Sequence, residues 1–113
     1  MRRNWDCIRA ILEASEALED GVLLAPGILP GFSEDQVVGH IRLLEEAGLV
    51  EGYPKGPGAM FVRRLTWNGH EFLSVLRSKT LWARVKTEAK DRGLALSFDL
   101  VRALASKFIN DLI

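Results

Sequence analysis

The sequence predicts a mainly α fold with a small antiparallel β-hairpin or three-stranded sheet. Three observations lead there. Apolar residues recur at helical spacing in five segments, each bounded by Ser, Thr or Asn caps and by glycine or proline. Only two short runs, Leu49 to Tyr53 and Met60 to Leu65, read as paired strands, and they flank the turn Pro54-Lys55-Gly56-Pro57-Gly58. Finally, 48% hydrophobic content over 113 residues supports a core without a disulfide. Residues 1–113 are read as one domain, with a core at 4–77 and a C-terminal helical extension at 78–113.

The first helix is expected from Trp5 to Leu18, capped by Asn4, with Trp5, Ile8, Ile11, Leu12 and Leu18 facing inward. Val22-Leu23-Leu24, between Gly21 and Pro26, reads as a strand that adds a third member to the hairpin. Ala25 to Phe32 holds two glycines and two prolines and reads as loop. Ser33 with Gln36 forms the S-x-x-Q pattern of a capping box, opening a helix over Glu34 to Ala47 that Gly48 stops. After the hairpin, Thr66 caps a helix from Trp67 to Leu76. Ser78 to Arg92 reads as the next helix, ended by Gly93, and Ser97 caps a last one from Phe98 to Leu112.

A helix ending E-A-G-L-V, a hairpin, then L-T-x-x-G-x-x-F-L is the order found in the winged helix-turn-helix superfamily, which this chain resembles, with two additional C-terminal helices. More specifically it is similar to a family of unknown function comprising small bacterial and prophage-borne proteins. The resemblance rests on Arg2-Arg3 before Ile8-Arg9-Ala10-Ile11-Leu12, and on S-E-x-x-V-x-x-H-I-x-L-L-x-E-A-G-L-V at Ser33 to Val50. It continues with R-L-T-W-x-G-H-E-F-L at Arg64 to Leu73, Thr80, Trp82 and Lys86, and S-F-D-x-V-x-x-L-A at Ser97 to Ala105. The superfamily implies DNA binding, whereas the smaller family brings no activity with it. One departure matters: a standard winged helix has two helices between its first strand and its hairpin, and the Pro/Gly-rich Ala25 to Phe32 stands in place of the first.

The net charge is zero, yet it is unevenly spread. Residues 1–52 carry ten acidic and four basic side chains, and residues 53–113 carry five acidic and eleven basic ones. A phosphate backbone along the hairpin and later helices would explain this, and so would attraction between the two halves. On the recognition-like helix, Gln36 and Arg42 are candidates to read base edges and His40 to donate to a phosphate, with double-stranded DNA as the partner. Glu34, Asp35, Glu45 and Glu46 have the wrong sign for that role. The helix dipole accounts for Glu34 and Asp35, and packing alone would account for the helix. Lys55 near the hairpin tip, with Arg63 and Arg64 on the return strand, is better placed for phosphate. Arg64 is equally placed to pair with a neighbouring acid.

No enzyme motif is present. His40 and His70 have no metal-ligand spacing, no G-x-S-x-G surrounds a serine, and Lys55-Gly56-Pro57-Gly58 lacks the setting of a phosphate loop. Neither a catalytic residue nor a cofactor or metal is assigned. Trp5, Trp67 and Trp82 are read as core, as is the lone cysteine, Cys7; Gly69 is read as permitting close packing, and His70 as structural. No apolar run reaches the roughly 20 residues of a membrane span, and Asn4-Trp5-Asp6 interrupts any leader, so a cytoplasmic protein is expected. The last helix is apolar over more than half its circumference, through Phe98, Leu100, Val101, Leu104, Ala105, Phe108, Ile109, Leu112 and Ile113. The alternative to a DNA-binding protein is therefore a protein–protein interaction module, dimerising or holding a partner through its C-terminal helices.

Overall fold

The computed structural model describes residues 2–111. Five helices and a two-stranded antiparallel hairpin make a mainly α protein, compatible with a small winged-helix-like domain. The chain divides into two compact units, Met1–Leu73 and Ser74–Ile113, and the division falls within the third helix.

In the first unit, α1 (Trp5–Glu16) begins where the Asn4 side chain accepts from the amides of Asp6 and Cys7, at 3.0 and 3.1 Å. It ends at Glu16, short of Leu18, which is only half-buried. Cys7, Ile8, Ile11 and Leu12 are fully buried, and burial pushes the Cys7 thiol up from 9.0 to about 11. The expected third strand reduces to one bridge, in which Leu24 and Val62 exchange backbone hydrogen bonds of 2.9 and 3.1 Å. The next pairing positions on either side are spent or absent: the Val22 amide donates to the Glu19 carbonyl, and Pro26 has no N–H. The segment read as loop contains one turn of 3-10 helix, Pro26–Ile28, packed on the following helix.

That helix, α2 (Glu34–Glu46), is started by Ser33, whose Oγ accepts from the Gln36 amide at 3.2 Å. It buries Val37, Val38, Ile41 and Leu44. Gly48, at φ +75°, turns the chain into β1 (Val50–Pro54), which pairs with β2 (Met60–Leu65). Thr66 binds the ends together. Its amide donates to the Leu49 carbonyl at 3.1 Å and its Oγ1 donates to the Gly48 carbonyl at 2.6 Å, while Oγ1 accepts from the Gly69 amide at 3.0 Å. This caps α3 (Trp67–Arg77). Gly69 has to be glycine, because a Cβ there would overlap the Leu49 carbonyl oxygen.

Trp67 departs from the expectation of burial and is 76% exposed, its indole N–H donating to Glu71 at 2.9 Å. The buried positions of α3 are Gly69, Phe72, Leu73 and Leu76, one helical stripe that leaves Trp67 on the opposite side. Trp5 is half-buried, its ring 6.3 Å from that of Phe72, and His70 lies 3.7 Å from Glu16.

The second unit consists of the end of α3, α4 (Lys79–Asp91) and α5 (Phe98–Asp111). Ser78 and Ser97 cap the last two through the Leu81 and Leu100 amides, at 3.2 and 3.1 Å. Val85 and Ala89 of α4 are buried, as are Val101, Leu104, Ala105 and Phe108 of α5. The Arg84 guanidinium lies 4.2 Å over the Phe108 ring. Much of the wide apolar face of α5 is therefore used within the fold. Ile109 is 44% exposed, and Leu112 and Ile113 lie outside the described residues. No helix of the described residues is long and apolar enough to cross a membrane.

Candidate nucleic-acid interface

A β-bulge shapes the outer face of the hairpin. Pairing runs Val50 with Leu65 and Glu51 with Arg64, then skips Arg63, so that Gly52 pairs with Val62, Tyr53 with Phe61 and Pro54 with Met60. Regular alternation from the buried Met60 and Val62 would turn Arg64 inward. The extra residue resets the alternation, so Leu65 is buried and both Arg63 and Arg64 are exposed. Both arginines reach Glu51, with nitrogen–oxygen distances of 3.3 and 2.8 Å. The Arg63 guanidinium also lies 4.7 Å from the centroid of Tyr53, and the Lys55 ammonium 5.3 Å from that of Phe61. Tyr53 and Phe61 are opposite each other in register and half-buried. The face thus carries three cations, two aromatic rings and one carboxylate. All the charged groups are at the surface, where ion pairs hold weakly and exchange readily for another anion.

The α2 candidates fare differently. His40 was expected to face outward toward phosphate, but it is fully buried. Its Nδ1–H donates to the Gln36 carbonyl at 2.8 Å and its Nε2 accepts from the Asn4 amide at 2.9 Å. With both ring nitrogens used, it is a pin between the start of α1 and α2, unavailable to a ligand. Gln36 is half-buried beside it. Arg42 is exposed, but so are Glu34, Asp35, Glu45 and Glu46 on the same helix. Glu45 also has a fold role, since its Oε2 accepts from the Gly52 amide at 2.8 Å and its carboxylate occupies the space a Cβ at Gly52 would need.

With this geometry in hand, the comparisons with known proteins can be read. A family described as hypothetical protein (DUF2513) matches residues 2–95. The chain belongs to this family. It is also 37% identical over 118 residues to a protein of Haemophilus influenzae described as an uncharacterized protein, covering 100% of this chain and 99% of that one. No solved structure matches significantly. The span matched to DUF2513 runs from the residues before α1 through α4 and stops before α5, so every candidate residue named above lies inside it.

Within this DUF2513 member the six sequence-derived candidates divide. Lys55, Arg63 and Arg64 share the hairpin, whereas Gln36, His40 and Arg42 lie on a helix whose exposed charge is mostly negative. Sequence reasoning missed Glu51, Tyr53 and Phe61. Period-two spacing was the signal that could have found them, because it places Glu51 with Tyr53, and Phe61 with Arg63, on one face of the strands. Among the described residues no group of three His, Cys, Asp or Glu side chains could hold a metal ion.

Proposed function

We propose that this protein is a non-enzymatic, cytoplasmic DNA-binding protein of the winged-helix type, a small regulator of bacterial or prophage origin. Its hairpin contacts the phosphates of duplex DNA through Lys55, Arg63 and Arg64. The observation that carries this reading is the bulge, which turns two successive arginines to solvent beside Tyr53 and Phe61. Hairpin rather than helix does the binding, since α2 offers phosphates more carboxylates than cations.

The test is fluorescence anisotropy with random duplex DNA at about 50 and 200 mM salt. Three phosphate contacts give a log–log salt slope near −2.7, or a loss of about 40-fold across that range. Replacing both Arg63 and Arg64 by alanine should reduce the slope by about 1.8. Absence of binding at the lower salt overturns the proposal, and an unchanged slope in the double variant removes the hairpin from it. Trp67 favours a second reading, a protein contact, because an indole held at 76% exposure by Glu71 does little for the fold. Under that reading Trp67→Ala lowers the mass seen by light scattering at micromolar concentration and leaves DNA binding as it was.

A further inference from the structure

The exposed side of α4 carries a second charged surface, separate from the hairpin. Lys79, Lys86 and Lys90 are all exposed, and spacings of seven and four residues put them within about 40° of one another on the helix. None of the three has an acidic residue three or four positions away. Among the described residues none of them is in an ion pair, while Glu88 on the same helix accepts from Arg92 at 2.8 Å and approaches Lys107 at 4.0 Å. Lys86 instead lies 5.6 Å from the centroid of Trp82.

These positions do not serve the helix. Lys79 is the first residue of α4, where the macrodipole disfavours a cation, and no acid stands in that first turn. Lys86 and Lys90 form a like-charge pair four residues apart, which lowers helix stability. A solvated helix face interleaves signs and thereby gains from its charges, whereas this one concentrates a single sign at a cost to the fold. The surrounding unit repeats the bias: residues 74–113 carry eight basic and four acidic side chains, against seven and eleven in residues 1–73.

We infer that Lys79, Lys86 and Lys90 form a second phosphate-binding surface, which tracks the sugar–phosphate backbone of a nucleic acid. The stripe extends about 16 Å along the helix axis, at 1.5 Å per residue. That equals about five steps of a duplex strand at 3.4 Å each. The surface is sequence-independent, since ammonium groups against phosphates carry no base information. This inference rests on the proposed nucleic-acid binding and adds a site to it.

The experiment compares the wild type with a variant carrying Lys79→Gln, Lys86→Gln and Lys90→Gln, and with a charge-matched control carrying Arg92→Gln, Arg102→Gln and Lys107→Gln, each titrated against random duplex DNA. Six phosphate contacts predict that the wild type loses more than roughly a thousandfold in affinity between 50 and 200 mM salt. The stripe variant should lose only about 40-fold, and the control should stay near the wild type. Thermal unfolding of the stripe variant should occur at or above the wild-type temperature, because a repulsion has been removed. Wild-type binding with an unchanged stripe variant overturns the inference and leaves the hairpin reading standing. An equal drop in the control also overturns it, since general attraction to a positive body would then suffice. A wild type that binds no DNA at low salt overturns both, and a markedly lower unfolding temperature assigns the lysines to the fold.

Discussion

Two surfaces of the first unit, α2 and the outer face of the hairpin, both present polar residues that a sequence would nominate for recognition. On α2 those groups are largely spent internally: Ser33 on the Gln36 amide, His40 on Asn4 and Gln36, Glu45 on the Gly52 amide. On the hairpin they remain at the surface, held only by exposed ion pairs and by contacts with half-buried rings. The difference teaches that residue type alone does not mark a binding surface. A polar side chain is available to a ligand only where the backbone has not already claimed it.

The sharpest way to break this contrast is His40→Ala. The substitution removes a fully buried ring and leaves the Asn4 amide without its partner. Cavity and lost hydrogen bonds together should cost about 3 to 4 kcal/mol, measured by urea unfolding. DNA affinity at a temperature where the variant is folded should be unchanged. A variant of near wild-type stability with weakened binding would return His40 to the interface and reverse the assignment of α2.

Alkaline unfolding probes the same seam with a smaller effect. Cys7 follows Asn4 on α1, and its thiol is raised in the folded chain while it returns to its ordinary value on unfolding. A raised acid stabilises the fold below the unfolded value of 9.0 and loses that contribution as pH climbs through about 11. A loss of about 2 to 3 kcal/mol over that window is expected, and Cys7→Ala should flatten it. A wild type and variant with identical pH profiles would show that the thiol is not held in a dry core.

How much of this was legible in the sequence depends on how far away each partner lies. Caps at Asn4, Ser33, Thr66, Ser78 and Ser97 were readable because the side chain and the amides it serves are within three residues. The glycine stops at 48 and 93, both at positive φ, were readable for the same reason. His40 was not: it sits at the edge of the Val37–Ile41–Leu44 stripe, and the group that satisfies it is 36 positions away. Nor was the bulge, which is a property of two strands together; Met60 to Leu65 alone shows only an alternation that fails at Arg64. Trp67 was misread because aromatic burial is a habit of residue type, while the α3 stripe through Gly69, Phe72 and Leu73 places it on the far side.

The smallest effect isolates the hairpin most cleanly. Glu51 is the one carboxylate on that face, within 3.3 Å of Arg63 and 2.8 Å of Arg64. Glu51→Gln keeps its size and leaves the cross-strand pair with Arg64 in place, so stability should change by no more than about 0.5 kcal/mol, as for other exposed pairs. Binding should respond in the opposite direction to every other substitution considered. With the internal anion gone, both guanidiniums are released toward phosphate, and duplex affinity at about 50 mM salt should rise several-fold, with a salt slope steeper by up to about 0.9. A fall in affinity would mean that Glu51 holds the arginines in the geometry the ligand needs. The bulge would then be presenting a fixed pair rather than two free cations, and Glu51→Asp, which keeps the charge but shortens the reach, should fall further.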